Sequence, residues 1–213
     1  MTVHADDTAS YVELSLESVL LRVGDHVGVF YRGDKERDAF VVPVVAAALA
    51  AGCGVVCVSD RSTPDEVRQR LQAADVDIEG AAARGQVRLA ASTEAYLANG
   101  GRFDPDHTVG FYKGALQGIF RRGYPVTCVI GEMSWSLRGC PGTERLLEYE
   151  ALYAEQFGMA PAITLCLYDL EQTRGEQLFD LLRLHGRVVL NGIDMQNPCV
   201  DASLLLGGSG AGD

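Results

Sequence analysis

Short apolar runs alternate with amphipathic segments along most of this chain. Near-continuous apolar runs of a few residues are typical of strands that a parallel sheet buries on both faces. The predicted strands are residues 26–31, 54–59, 86–91, 126–130, 162–168 and 187–190. Because helical periodicity falls between them, the pattern predicts an α/β fold with three layers, in which helices cover both faces of a doubly wound, mainly parallel sheet.

Several predicted helices carry boundary signals. Thr63, Pro64 and Glu66 form a capping box with proline at the first helical position. Other helices are predicted to cover 34–51, to open at Asp104 and Pro105, to begin near 143, and to stop before 186. We expect one domain over residues 1–206, with 1–14 as an arm or short leading strand and 207–213 as a flexible Gly/Ser-rich tail.

Composition limits the partners that this chain is expected to bind. Its formal charge of −11 would repel a phosphate backbone, so we expect no direct contact with nucleic acid or with an anionic membrane. The longest apolar stretch, residues 39–51, is too short to span a bilayer and contains Pro43. We therefore expect a cytoplasmic protein.

The six cysteines show no metal-binding or disulfide pattern. Cys57, Cys128 and Cys166 fall inside strand-like runs, where a small buried thiol is common. Spacing along the chain therefore predicts no structural metal, no cofactor and no disulfide.

The loop after the first core strand argues against nucleotide hydrolysis. A RecA-type ATPase carries GxxxxGK[ST] there, whose amides and lysine hold phosphates and whose hydroxyl holds magnesium. This chain has Tyr31-Arg32-Gly33-Asp34-Lys35-Glu36 instead. Because carboxylates would face the triphosphate at the helix N-terminus, we expect ATP and GTP to bind weakly or not at all.

The segment after strand 126–130 is the first candidate for a binding site. Gly131 is expected to break the strand and turn it outward, which places Glu132 and the only tryptophan, Trp135, just beyond its end. Ligands of α/β folds bind outside the carboxyl ends of parallel strands, so both residues are predicted to face one pocket. The alternative is a solvated acid beside a core tryptophan.

Further candidates lie near the same edge or on helices. Phe30, Tyr31, Met133 and Tyr168 are predicted to supply an apolar lining. His26 opens its strand, roughly 16 Å from the edge that should present Glu132, and is either a ligand residue or a structural histidine. Glu150 is either a partly buried acid that orients a partner or a solvated helix acid, and His185 is interpreted as a helix-end residue favoured by the helix dipole.

Six short motifs occur in an order that points to one known family. They are Gly24-Asp25-His26-Val27-Gly28-Val29-Phe30-Tyr31, Gly100-Gly101-Arg102-Phe103-Asp104-Pro105, Gly131-Glu132-Met133-Ser134-Trp135, Tyr149-Glu150, Cys166-Leu167-Tyr168-Asp169 and Asn197-Pro198, and Glu36 belongs with them. Over roughly residues 15 to 200 the chain resembles the MEDS domain, a sensory domain named from methanogens and methylotrophs and from the repressor of dichloromethane dehalogenase.

The resemblance implies a RecA/KaiC-like fold that has lost its phosphate loop and senses simple hydrocarbon derivatives. Family members occur alone or joined to DNA-binding or kinase modules.

Two positions depart from the family pattern. Gly28 stands where many relatives carry a cysteine, which counts against a His-Cys pair in this chain, and Leu167 stands where a glutamine is frequent.

These observations predict a sensory domain that binds a small, largely apolar organic ligand and signals to a regulatory partner protein. The predicted ligand residues are His26, Phe30, Tyr31, Glu132, Met133, Trp135, Glu150 and Tyr168. The alternative is an enzyme on the same scaffold, acting on a small organic substrate with Glu132 as general base. The sequence leaves open the identity of the ligand and whether the chain forms a homo-oligomer.

Overall fold

A seven-stranded sheet organises the chain in a computed structural model that describes residues 12–16 and 19–200. Most of the predicted arm and all of the predicted tail at 207–213 lie outside these residues. The strands are β1 (Glu13–Ser15), β2 (Leu20–Arg22), β3 (His26–Tyr31), β4 (Gly54–Ser59), β5 (Val87–Ala91), β6 (Thr127–Glu132), β7 (Ala162–Asp169), β8 (Arg187–Leu190) and β9 (Ile193–Gln196). The helices are α1 (Gly33–Ala50), α2 (Pro64–Ala73), α3 (Ile78–Ala83), α4 (Ser92–Ala95), α5 (Pro105–Phe120), α6 (Leu146–Phe157) and α7 (Gly175–Arg183), with 3₁₀ turns at Ser134–Arg138 and Thr143–Arg145.

The strand order in the sheet is β5-β4-β6-β7-β3-β8-β9. All neighbouring pairs run parallel except β8 and β9, which form an antiparallel hairpin. Strands β1 and β2 form a separate antiparallel ribbon. The predicted three-layer, mainly parallel α/β fold is therefore confirmed.

Each face of the sheet buries its own apolar core. Helices α1, α2 and α3 and the β1–β2 ribbon cover one face, while helices α4 to α7 cover the other. Every residue of β4, β6 and β7 is buried, which explains their continuous apolar runs. The predicted capping box at α2 is present, since the Thr63 hydroxyl accepts from the Glu66 N–H and the Glu66 carboxylate accepts from the Thr63 N–H.

The prediction that Gly131 breaks β6 is wrong. The strand continues through Glu132, and Gly131 pairs with Val58 on β4 and Cys166 on β7. A Cβ atom at this position would lie 2.3 Å from the Tyr96 hydroxyl, so only glycine leaves room for that side chain. The glycine therefore marks a close side-chain approach rather than a turn.

The hairpin strand β9 was not predicted, although its turn has a recognisable sequence. Asn191 and Gly192 form the two-residue loop after Leu190, both with positive φ, at 49° and 71°. Asn-Gly is the preferred pair for such a type I′ hairpin turn. The polar residues of β9 concealed the strand, because β9 lies at the edge of the sheet and is mostly exposed.

Candidate functional site

Glu132 lies at the carboxyl edge of the sheet, and both of its carboxylate oxygens accept hydrogen bonds. Its Oε1 accepts hydrogen bonds from Arg37 Nη1 at 3.2 Å and from the Tyr31 hydroxyl at 3.1 Å. Its Oε2 accepts from the backbone N–H groups of Asp60 at 2.7 Å and Arg61 at 3.1 Å. The acid is 2% exposed, so this is a buried, fully bonded carboxylate that ties α1, β3 and β4 to the end of β6.

Little space adjoins Glu132. A cavity of about 20 Å³ lies beside it, which is room for one water molecule rather than an organic ligand. Burial, and then the charge of Glu132, raise the pKa of Tyr31, so this phenol remains a hydrogen-bond donor. With both of its oxygens engaged, Glu132 has no lone pair directed at a substrate, and the geometry does not favour a role as general base.

Carboxylates also occupy the N-terminus of α1, where a phosphate loop would bind its anion. The Glu36 carboxylate accepts from the Arg32 N–H at 2.7 Å, and the Asp169 carboxylate accepts from the Gly33 N–H at 3.4 Å. These contacts agree with the prediction of weak nucleotide binding, because two amides at this helix N-terminus already have anionic partners.

Trp135 and Met133 lie away from Glu132, in the core on the α4–α7 face. The indole packs between Tyr96 and Phe103, with ring centroids 4.9 Å and 4.5 Å away, and both Trp135 and Met133 are fully buried. Glu132 instead contacts α1 on the opposite face. The structure therefore does not bring Glu132 and Trp135 into one pocket.

A second group of polar side chains lies on the α4–α7 face, and we call it the His-Glu-Cys cluster. It consists of His26, Glu150, Cys166 and His185, with one metal-binding atom from each within 4.8 Å of the others. His26 Nε2 lies 3.3 Å from Cys166 Sγ and 3.6 Å from Glu150 Oε2. Four separate elements supply these residues, namely the start of β3, α6, β7 and the turn between α7 and β8.

The His-Glu-Cys cluster contains buried polar atoms without hydrogen-bond partners. Within the described part of the chain, neither oxygen of Glu150 nor Nε2 of His185 has one, and the nearby Tyr168 hydroxyl has none either. His185 Nδ1 does have a partner, the Leu181 carbonyl oxygen at 3.0 Å. Unpaired buried polar atoms are uncommon in folded proteins, and a group of them calls for an explanation such as a catalytic role or a bound water or ion.

Burial sets the charge of this cluster. It raises the pKa of Glu150 to about 8 and lowers that of His185 to about 4, where the hydrogen bond to the Leu181 carbonyl works in the opposite direction. Burial, followed by the charge of His185, lowers the pKa of His26. Burial, and then Glu150, raise the pKa of Cys166 well above its usual range. At neutral pH the four groups are therefore mainly uncharged.

Position 28 offers no thiol to His26, as expected, but a cysteine of another strand lies beside this histidine. Gly28 is paired with Cys166 on the neighbouring strand, so the thiol comes from β7 and reaches His26 on the same face of the sheet. Gly28 also makes space, because a Cβ there would lie 3.0 Å from Cγ of His185. The prediction for His185 is corrected: it follows α7, but it is 1% exposed and its lowered pKa keeps it neutral.

An open groove lies on the α1 face of the sheet, and we call it the α1 groove. It measures about 900 Å³. Its walls come from α1, from the ends of β3 and β8, and from the ribbon at Ser15, Leu16 and Val19. They are Ser15, Leu16, Val19, Val29, Phe30, Tyr31, Arg32, Glu36, Ala39, Phe40, Pro43, Ala46, Ala47, Val189, Asn191 and Gly192.

The predicted ligand residues thus fall into separate places. Phe30 and Tyr31 line the α1 groove, and Tyr31 also bonds Glu132. His26 and Glu150 belong to the His-Glu-Cys cluster. Tyr168 lies in the core on the α4–α7 face, where it stacks on the Phe30 ring at 5.4 Å and meets His185 of the cluster edge-on at 5.6 Å.

The sheet order and its two helical layers define a RecA-type α/β domain. A solved KaiC-like protein from the hyperthermophilic archaeon Pyrococcus horikoshii is similar, with a TM-score of 0.58 at 12% identity over 79% of this chain and 71% of that chain. Residues 25–186 match the family described as MEDS, the methanogen/methylotroph, DcmR sensory domain. The chain therefore belongs to the MEDS family, which indicates a sensory role.

Comparison with curated proteins gave no match. Among the described residues, no helix combines the length and apolarity needed to cross a membrane.

Proposed function

We propose that this chain is a sensory domain that binds a small, largely apolar organic molecule in the α1 groove and signals its presence to a regulatory partner protein. The family supplies the sensory role, and the groove is the observation that supports the kind of ligand. Its volume of about 900 Å³ lies within the range that is usual for small-molecule sites.

The lining of the α1 groove is suited to a ligand with a large apolar part. Alanine, valine, proline and aromatic side chains form most of the wall, and the polar side chains are few. Arg32 donates from Nη1 to the Asn191 side-chain oxygen at 3.3 Å, so two of these polar groups hold each other. Glu36 is likewise bonded, to the Arg32 N–H. The ligand therefore gains most from burial of apolar surface and little from hydrogen bonds.

The β1–β2 ribbon offers a route for the signal. Its strands have three residues each, and Leu16 and Val19 contribute to the groove. A two-stranded ribbon this short is marginally stable on its own, so contact with a ligand would stabilise it against the domain. A partner protein that binds the ribbon region would then distinguish the bound from the free state.

The proposal is tested with short-chain alcohols and halogenated alkanes as probes, in the presence of a metal chelator. We expect at least one probe to raise the melting temperature of the wild-type protein and to shift amide signals of residues in α1 and β3, because a ligand stabilises the state that it binds. The Ala46→Trp variant should lose both responses, since the indole fills the groove.

The matched control is Ala50→Trp, because Ala50 is exposed at the end of α1 and does not line the groove. It should keep both responses. Binding that survives in Ala46→Trp, or probe-induced shifts confined to residues outside the groove, would place the ligand elsewhere and refute the proposal.

A further inference from the structure

We infer that the His-Glu-Cys cluster is a binding site for one divalent cation of the zinc type. Two imidazoles, a thiolate and a carboxylate are the ligands that zinc takes in proteins, and four is its usual coordination number. Magnesium and calcium prefer oxygen ligands throughout, so two histidines and a cysteine select against both. The inference does not depend on the proposed function, since the cluster faces α6 and the groove faces α1.

The distances within the cluster fit a shared ion. Zinc bonds of about 2.0 to 2.1 Å to nitrogen and about 2.3 Å to sulfur give tetrahedral edges of about 3.3 to 3.6 Å between ligand atoms. The two measured separations from His26 Nε2 are 3.3 Å to Cys166 Sγ and 3.6 Å to Glu150 Oε2. All four ligand atoms lie within 4.8 Å of one another, so the other pairs need to approach by at most about 1.5 Å to reach tetrahedral edges.

The surroundings of His185 resemble those of a metal-binding histidine. Its Nδ1–H donates to the Leu181 carbonyl oxygen at 3.0 Å, which fixes the tautomer and leaves the Nε2 lone pair free. A ligating histidine almost always has such a backbone or carboxylate partner on its other nitrogen. Nε2 is buried, and no hydrogen-bond partner reaches it from the residues that the structure describes.

Glu150 gives an independent reason for a cation. Its carboxyl is 1% exposed and its two oxygens have no hydrogen-bond partner in the described chain. An unpaired carboxylate is costly in such a place, whereas one divalent cation with one carboxylate and one thiolate leaves no net charge. On binding, the Cys166 thiol and the neutral Glu150 carboxyl each release one proton to solvent, and both imidazoles bind through a neutral nitrogen.

His26 is the member of the cluster that contacts solvent most. Its side chain is 22% exposed, while Glu150, Cys166 and His185 are at most 5% exposed. His26, at the amino end of β3, is therefore the most exposed of the four proposed ligands, and a cation would enter past it.

Cobalt titration of chelator-treated protein tests the inference. Co²⁺ takes the place of zinc and reports its ligands, since a thiolate gives a charge-transfer band in the near ultraviolet and tetrahedral coordination gives strong visible bands. We expect saturation at one cobalt per chain, displacement by zinc, and loss of the thiolate band in Cys166→Ser. In Cys128→Ser the band should remain, because Cys128 is an equally buried strand cysteine in the opposite core.

A second pair of variants tests the carboxylate. Glu150→Gln should weaken zinc binding by at least about tenfold, as expected when a metal site loses a supporting group. Glu155→Gln should leave it unchanged, because Glu155 is exposed on the same helix. The inference is overturned if cobalt gives no thiolate band, or if the band survives Cys166→Ser.

If Cys166→Ser does not fold, X-ray absorption of the zinc-loaded wild-type protein decides the question without a variant. One sulfur and three nitrogen or oxygen neighbours would support the site. A shell with no sulfur, or with more than one, would refute it.

Discussion

Glu132 and Glu150 are equally buried carboxyl groups on opposite faces of one sheet, and they differ in their partners. Glu132 is 2% exposed and accepts four hydrogen bonds, one of them from the Arg37 guanidinium. Glu150 is 1% exposed, and its oxygens have no hydrogen-bond partner among the described residues. The comparison teaches that burial of an acid at this sheet does not by itself indicate a site, whereas an acid without a hydrogen-bond partner calls for an explanation such as a bound ion.

The largest loss of unfolding free energy is expected when Glu132 loses its charged partner, Arg37. Arg37→Met should lower the free energy of unfolding by about 3 to 5 kcal/mol, because it leaves a buried carboxylate without its cation. Denaturant unfolding followed by circular dichroism measures this. Arg68→Met is the control, since the ion pairs of Arg68 are at the surface and should contribute less than about 1 kcal/mol. Equal losses in both variants would show that the Glu132 network is not structural.

The second largest loss of unfolding free energy is expected from substituting Glu132 itself. Glu132→Gln should cost roughly 1 to 3 kcal/mol of unfolding free energy, because the amide turns an NH₂ group toward donors that now lack an acceptor. The same unfolding experiment measures it. A variant as stable as wild type, with weaker binding of a probe, would restore Glu132 as a ligand residue.

The pH dependence of stability separates the two acids. The pKa of Glu150 is raised to about 8 in the folded protein, so the folded state keeps a proton that the unfolded chain releases near pH 4.5. The free energy of unfolding therefore falls as pH rises through this window, by about 1 to 2 kcal/mol between pH 6.5 and 8. Below pH 6.5 the lowered pKa values of His26 and His185 act in the opposite direction.

This pH dependence is measured by unfolding in chelator. The decline between pH 6.5 and 8 should be absent in Glu150→Gln and present in Glu132→Gln. If Glu150→Gln retains the full decline, another group is responsible and the carboxyl of Glu150 is not held neutral.

The smallest effect is expected for Glu150→Gln near pH 4. There the carboxyl is neutral in the folded protein and mostly neutral in the unfolded chain, so an isosteric amide should change the unfolding free energy by less than about 0.5 kcal/mol, similar to a substitution at the surface. Glu155→Gln supplies that surface reference on the same helix. A loss as large as that of Glu132→Gln would mean that Glu150 has a structural partner after all.

The order of strands and helices was predictable from the sequence, because strands that are buried on both faces appear as continuous apolar runs. Strands β3, β4 and β8 match the predicted bounds at both ends, and the α2 capping box is present as expected. The two main errors come from local exceptions. Gly131 was interpreted as a strand break, and the edge strand β9 has too few buried residues to show alternation.

The candidate site was less predictable from the sequence, because contacts between elements that are far apart along the chain leave no local pattern of residues. His26 and Glu150 were candidates, yet Cys166 and His185 were interpreted as a core thiol and a helix-end residue. Their meeting depends on the β3–β7 register, which places Cys166 beside Gly28, and no spacing along the chain encodes that register. The pairing of Arg37 with Glu132 also requires the fold, since an arginine in the first turns of a helix is usually at the surface.

The close approach of His185 to Gly28 has a consequence for how such sequences can diverge. A Cβ at position 28 would lie 3.0 Å from Cγ of the histidine ring, so a side chain there requires the ring to move by a few tenths of an ångström. A sequence that carries cysteine at this position should therefore differ at the position of His185, either in the residue or in where its ring lies. Substitution at position 28 is thereby coupled to the second imidazole, and an alignment of relatives should show these two positions changing together.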